Sequence, residues 1–259
     1  MDDDEVLVGI DFTADRLRVL LADLDGEPIH RGEWPIPELN DEAAWSWEIG
    51  GRIATLFAEE GNGLSALAIA VAAPGAVDPV TGRLTRSTGQ PGWDGLGVVE
   101  SLRRHIDAPV AAESRVRAAL LGESWQGAAA GLDDVLYVSL RGVPEAAILS
   151  AGRTLRGAQF RAGGLPAFPE LPAAASAPSE VIEQTAGLLA DAAALLDPQA
   201  IVLYGIPQHL DLLVPLAQRV LAEVAPGVQV LRGALGHQAA VVGAVRIAST
   251  LAFEGHRKP

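Results

Sequence analysis

Three strand-forming runs follow one another with only turn signals between them before the first helical stripe begins, and this order restricts the fold more than any other feature. Val6-Leu7-Val8-Gly9-Ile10 reads as a buried strand. Residues 17–24 form a second strand that runs into Asp25-Gly26, a dipeptide whose tolerance of positive φ marks a hairpin. Residues 28–34 supply a third, antiparallel strand. Over 42–60 the apolar residues Ala44, Trp45, Trp47, Ile49, Ile53, Leu56 and Phe57 approximate a helical stripe, stopped at Gly61-Asn62-Gly63. An apolar strand over 67–72 follows and ends at Pro74-Gly75. The resulting β-β-β-α-β order is the first half of the chain in outline.

Two helices and a short strand lead into a second half, from residue 135, that repeats this order. Helices are expected over 96–106 and 114–126, the latter with Ser114 as N-cap, and a short strand over 109–112. Strands over 135–140 and 146–150 then precede a turn-rich stretch over 152–164 and a long amphipathic helix over 178–196. A buried strand over 200–203, a helix over 210–223, a strand over 228–231 and a closing helix over 238–253 complete the chain. The Pro/Ala-rich segment 166–178 reads as an extended surface linker. Two α/β lobes with a cleft between them are expected, the first over 1–108 with the terminal helix 238–254, the second over 109–237.

Composition removes several function classes. A length of 259 residues leaves room for one large or two medium domains. Although 49% of residues are hydrophobic, no run approaches the roughly 18 apolar residues of a membrane span. Met1-Asp2-Asp3-Asp4-Glu5 lacks the basic start of a secretory signal and reads as a solvated tail, so a cytoplasmic protein without membrane contact is expected. With no cysteine there is no disulfide, thiolate zinc site or cysteine nucleophile. Nineteen basic against 33 acidic residues, a net charge of −14, disfavour nucleic acid as a direct partner. Lys258 is the only lysine, which excludes a Schiff base or P-loop lysine. His30, His105, His209, His237 and His256 have no ligand-like spacing and are expected at the surface or at helix ends.

Five segments, in this order and spacing, resemble the ROK family (repressor, open reading frame, kinase). They are Gly9-Ile10-Asp11 with Leu24-Asp25-Gly26; residues 72–79 (AAPGAVDP) with Thr81-Gly82; Pro91-Gly92-Trp93-Asp94-Gly95; residues 118–123 (AALLGE); and residues 195–203 (LLDPQAIVL). Ala234-Leu235-Gly236 and Gly243-Ala244 extend the match. The resemblance implies a two-lobed actin-like ATPase (ribonuclease H-like) α/β fold of the ROK sugar kinase type with an interlobe cleft, found in sugar kinases and sugar-responsive repressors.

At the family's chemical positions the residues differ. The glycine-rich phosphate turn of the family is Asp11-Phe12-Thr13-Ala14-Asp15 here, so backbone N–H groups lose their close approach and Asp15 adds like charge. The second phosphate loop becomes residues 141–147 (RGVPEAA), with Pro144 removing a donor and Glu145 adding charge; the adenosine-side glycines become Tyr204-Gly205-Ile206. Asp11, Asp15, Gly142 and Gly205 are thus the remnants of a nucleotide site. Asp11 stands where the family holds a metal-bound water, or else simply caps the hairpin.

The family's base, an aspartate, is replaced by arginine in Glu113-Ser114-Arg115, and a guanidinium cannot accept a proton. Gly89 replaces a sugar-binding asparagine, and residues 163–167 (GGLPA) lack the family's glutamate and zinc-binding histidine. These losses lead to the expectation of a non-enzyme: a pseudokinase that binds a small molecule or regulates, without zinc and with poor or absent binding of Mg-ATP. The alternatives are a carbohydrate kinase with atypical motifs and the effector domain of a transcriptional regulator.

Arg115 and Arg117 fall in the first turn of a helix, where the macrodipole disfavours cations by about 0.3–1 kcal/mol each, so a compensating negative charge is required. It is either a carboxylate such as Glu113 or a bound anion, and the family resemblance implies that Arg86, Arg141 and Arg161 also face the cleft. A sugar phosphate or sugar acid is the expected partner on the second reading. Trp93 is a further ligand candidate or, as more often for a tryptophan under a loop, core. A homodimer remains open.

Overall fold

The computed structural model describes residues 4–59, 63–88, 90–173 and 176–255. They fall into two compact units, Met1–Gly122 with Ala240–Pro259, and Glu123–Ala239. In the first unit, β1 (Glu5–Phe12), β2 (Arg16–Ala22) and β3 (Pro28–Pro35) form an antiparallel meander. Then come α1 (Glu42–Trp45), a π-helical turn (Ser46–Gly50), α2 (Gly51–Glu59) and β4 (Ser65–Ala73). The hairpin β5 (Gly75–Asp78) and β6 (Arg83–Ser87), α3 (Val98–Arg103), β7 (Val110–Ser114) and α4 (Arg115–Gln126) follow. The main sheet has the order β3-β2-β1-β4-β7, with β4 parallel to β1 and β7 parallel to β4.

Val6, Val8, Ile10 and Phe12 project from one face of β1 into a core with Trp45, Ile49, Ile53 and Trp93. The alternate residue Leu7 is equally buried. A central strand buried on both faces reads as a continuous apolar run, whereas β3, at the edge, begins with proline and stays half to fully exposed. The hairpin β5–β6, absent from the sequence reading, is tightened at Asp78, which accepts hydrogen bonds from Val80 N–H and Thr81 Oγ1. Those bonds hold its carboxyl below the usual range.

In the second unit, β8 (Val135–Ser139), β9 (Glu145–Ser150) and β10 (Arg153–Thr154) are antiparallel. They are followed by α5 (Ser179–Leu196), β11 (Ala200–Tyr204), α6 (Pro207–Val224) and β12 (Gln229–Arg232). The order β10-β9-β8-β11-β12, with β11 parallel to both β8 and β12, repeats the first sheet. Leu136, Val138, Ile201 and Leu203 meet Ile182, Leu189, Leu213 and Leu221 of the two long helices in its core.

The closing helix α7 (Ala239–Gly255) returns to the first unit. Its backbone lies against β1 and α4 because two positions carry no side chain. A Cβ at Gly9 would strike the Val241 carbonyl, and one at Gly243 would strike the Ala118 carbonyl and stand 2.9 Å from Gly122 N. Gly243→Ala is therefore expected to destabilise the protein by about 3 kcal/mol or more, since neither backbone can yield easily. A urea midpoint shift worth less than about 1 kcal/mol would refute that close packing.

Three expectations are corrected. The boundary expected at 108/109 falls inside α4, because β7 pairs with β4 from Ile69↔Val110 to Ala73↔Ser114 and so belongs to the first sheet. The single helix expected over 42–60 contains the π turn, and its start is fixed by Asp41, whose carboxylate caps Ala44 N–H at 2.7 Å. Segment 166–178 is not a free linker throughout, since Leu171 is buried in the second core, with Phe168 packed against it. His209 lies at a helix end, the start of α6, and is fully buried there; among the described residues neither ring nitrogen has a hydrogen-bond partner. Residues 2, 3, 89 and 256, on which other expectations rest, lie outside the described residues. Among the described residues no helix is long and apolar enough to cross a membrane.

Candidate functional site

Asp11 sits near the end of β1, fully buried, with Arg18 of β2 directly opposite. Arg18 Nη1 lies 3.2 Å from Asp11 Oδ2, and Arg115, the first residue of α4, donates from Nε to Oδ1 at 2.7 Å and from Nη2 to Oδ2 at 3.3 Å. Arg18 also reaches Glu33 of β3 at 3.2 Å. Charge therefore alternates along a row formed by Glu33, Arg18, Asp11 and Arg115, three of them cross-strand neighbours and the fourth brought in by the β7–α4 junction.

That junction is built by Glu113 and Ser114, paired with Ala72 and Ala73 of β4. Glu113 Oε1 accepts from Ser114 N–H at 2.8 Å and from Arg117 Nε at 2.7 Å, while Ser114 Oγ accepts from Arg117 N–H at 3.3 Å. Ser114 thus caps the helix. Glu113 and Arg117 are both almost completely buried, so each satisfies a charge that would be costly alone. The two cations that the macrodipole disfavours each have a carboxylate partner, Asp11 for Arg115 and Glu113 for Arg117.

The other candidates are placed as follows. Trp93 is core: it is 1% exposed, donates from its indole N–H to the Leu39 carbonyl at 2.6 Å and packs 5.3 Å from the Phe12 ring. Arg86 is exposed on β6. Arg141 and Gly142 are exposed in the β8–β9 turn, where Gly142 takes a φ of 69°. Arg161 is exposed and belongs, like them, to the second unit. Asp15 is exposed and accepts a hydrogen bond from Thr13 Oγ1 at 3.0 Å. Gly205 is buried just after β11.

Two residues that carry the structure here were not singled out from sequence. Arg18 is one; its signal was a lone cation in the strand run Leu17-Arg18-Val19, opposite Asp11 once the hairpin register is known. Glu123 is the other. Buried near the end of α4, its carboxylate accepts the N–H groups of Ala128 at 2.8 Å and of Ala234 and Leu235 at 2.9 Å.

Residues 7–165 match the ROK family. Over 95 residues the chain is 39% identical to a beta-glucoside kinase of Listeria monocytogenes and 33% identical to one of Klebsiella pneumoniae. Each alignment covers 37% of this chain and 32% of the relative, so the match spans about a third of those proteins' length. Among solved structures, a ROK family transcriptional regulator homologous to E. coli MLC superimposes with a TM-score of 0.83 at 18% identity, covering 98% of this chain and 80% of that one. A ROK family glucokinase from Streptomyces griseus, in complex with glucose and AMPPNP, superimposes with a TM-score of 0.76 at 19% identity, covering 95% and 99%.

The fold is thus the two-lobed actin-like fold of ROK sugar kinases. The expectation of a non-enzyme is corrected by the sequence relatives, which are named beta-glucoside kinases. Because the match from residue 7 to residue 165 covers more than half of the 259 residues, this sugar-kinase-like chain belongs to the ROK family.

Proposed function

We propose that the chain is a carbohydrate kinase, transferring a phosphoryl group from ATP to a hydroxyl of a hexose or β-glucoside, with arginine at the position that family resemblance assigns to the catalytic base. The observation that carries this reading is the 39% identity to a beta-glucoside kinase, found in a chain whose fold follows a glucokinase over 95% of its length.

The chemistry of the site bears on rate rather than on reaction type. Phosphoryl transfer depends mostly on positioning and on stabilising charge at the phosphoryl oxygens, and a general base contributes roughly 10²–10⁴-fold. Arg115 cannot take the hydroxyl proton, but its guanidinium, held by Asp11 and 25% exposed, is a fixed cation suited to an anionic group. A sugar phosphate, the product of this reaction, would be such a group. A hydrated Mg²⁺ ion on Asp11 does not fit this arrangement, because both carboxylate oxygens already accept from guanidinium groups. No step is therefore assigned to it. The phosphoryl donor meets a turn without glycines and with Asp15, so its KM is expected above about 1 mM.

A coupled assay of ADP release over a panel of hexoses and β-glucosides, at several millimolar ATP, tests the proposal. Sugar-dependent turnover of about 0.001–0.1 s⁻¹ is expected, the median enzyme rate reduced by the missing base. Absence of sugar-dependent release across the panel would overturn it.

A further inference from the structure

The first unit contains a cavity of about 530 Å³, none of whose lining residues belongs to the Asp11 or Glu113 clusters. Pockets of this size accommodate small organic ligands. Trp34, at the end of β3, and Trp47, in the π turn, form its aromatic walls, with Glu48, Arg52 and His105 supplying polar groups.

Local sequence builds each wall. Trp34 folds over the strand because Gly32, two residues earlier on the same face, has no Cβ; one placed there would collide with the indole ring. The π turn inserts one extra residue into the helix, a distortion frequent at functional sites. Trp45, just before the turn, and Ile49 and Gly50 within it are buried, while Trp47 is 78% exposed. A tryptophan turned out into water forgoes the apolar burial that its neighbours obtain. His105 is seated by two contacts, its Nε2 lying 3.2 Å from Ser46 Oγ and its ring occupying the space that a Cβ on Gly50 would fill. Arg52 donates to Glu48 one turn before it, and this pair is partly open to solvent.

The chemistry selects the ligand. Glu48 disfavours an anion and Arg52 disfavours a cation, so the paired charges leave a site suited to a neutral molecule. Such a molecule must donate hydrogen bonds to a carboxylate, accept them from a guanidinium, and offer an apolar face to two indoles. A pyranose ring does all three, through vicinal hydroxyls and its C–H face. We infer that this cavity is a second carbohydrate site, binding a neutral pyranoside away from the Asp11 cluster. The inference goes beyond the proposed kinase activity, since binding is read without turnover.

The test is titration of the ¹⁵N-labelled protein with methyl β-glucoside to about 50 mM, following the indole N–H signals, in wild type and in Trp47→Ala. Trp47 is exposed, so its removal is expected to leave the fold intact, which the remaining amide signals verify. The expected result is saturable shifts of the Trp34 and Trp47 signals in wild type. In Trp47→Ala the shift at Trp34 should need about tenfold more sugar, with the KM for sugar in ADP release unchanged if turnover is present. Glucose 6-phosphate should shift these signals less than the neutral glucoside. Absence of saturable shifts at both indoles, equal affinity in Trp47→Ala, or a stronger response to the phosphate would each overturn the inference. So would concentration-dependent self-association abolished by Trp47→Ala, which would make the surface a contact between copies of the chain.

Discussion

Glu123→Ala is expected to lower the stability of the second unit by about 3–5 kcal/mol, the range for removing one partner from a buried charged network. The carboxylate gathers three backbone N–H groups from two separate segments, and deletion leaves those donors without it, at about 1–3 kcal/mol for each that water cannot reach. The surroundings are shaped around it: a Cβ on Gly127 would collide with Glu123 Oε2, and one on Gly233 would stand 2.8 Å from Oε1. Glu123→Gln keeps the shape but turns an amide N–H₂ toward backbone donors, so it should recover only part of the loss. Urea denaturation monitored by far-UV circular dichroism would measure both variants. A loss below about 1 kcal/mol for the alanine variant would mean that water replaces the carboxylate without difficulty.

Arg115→Asp is expected to raise sugar-dependent ADP release by about 10²–10⁴-fold, because it places a proton acceptor where the family keeps its base. Arg115→Ala provides the control, since it also frees Asp11 from one guanidinium but supplies no base, and its rate should stay near that of wild type. Stability moves in the other direction. Both variants leave buried Asp11 with Arg18 as its remaining guanidinium partner among those described above, and Arg115→Asp adds a like charge beside it, so it should melt at the lower temperature. If the two variants gave equal rates while both remained folded, position 115 would not be the place from which the hydroxyl proton is taken.

Much of the architecture was legible in the chain because it rests on local periodicity. The run from Val6 to Ile10 must be buried on both faces wherever it lies, Asp25-Gly26 turns the chain back, and the repeated β-β-β-α-β order leaves few topologies. The resemblance carried by AAPGAVDP, PGW and LLDPQAIVL extended that reading to the family. Elements whose form depends on distant neighbours were not legible. The π turn at 46–50 adapts to His105, more than fifty positions away, and Leu171 is drawn from a Pro/Ala-rich stretch into a core made by α5 and α6.

The site divides along the same line. Sequence alone determined that a cation stands at position 115, that the turn after Asp11 lacks glycine, and that two arginines at a helix start demand negative charge, because each follows from residue type and local helix geometry. Which carboxylate answers which arginine was decided only by tertiary structure. Glu113 reaches Arg117 along the chain, but the partner of Arg115 is Asp11, separated from it by 104 positions and brought near by the β1–β4–β7 pairing. Strand register and helix placement put those atoms within bonding distance, and they depend on burial summed over a whole core rather than on any short pattern of residues.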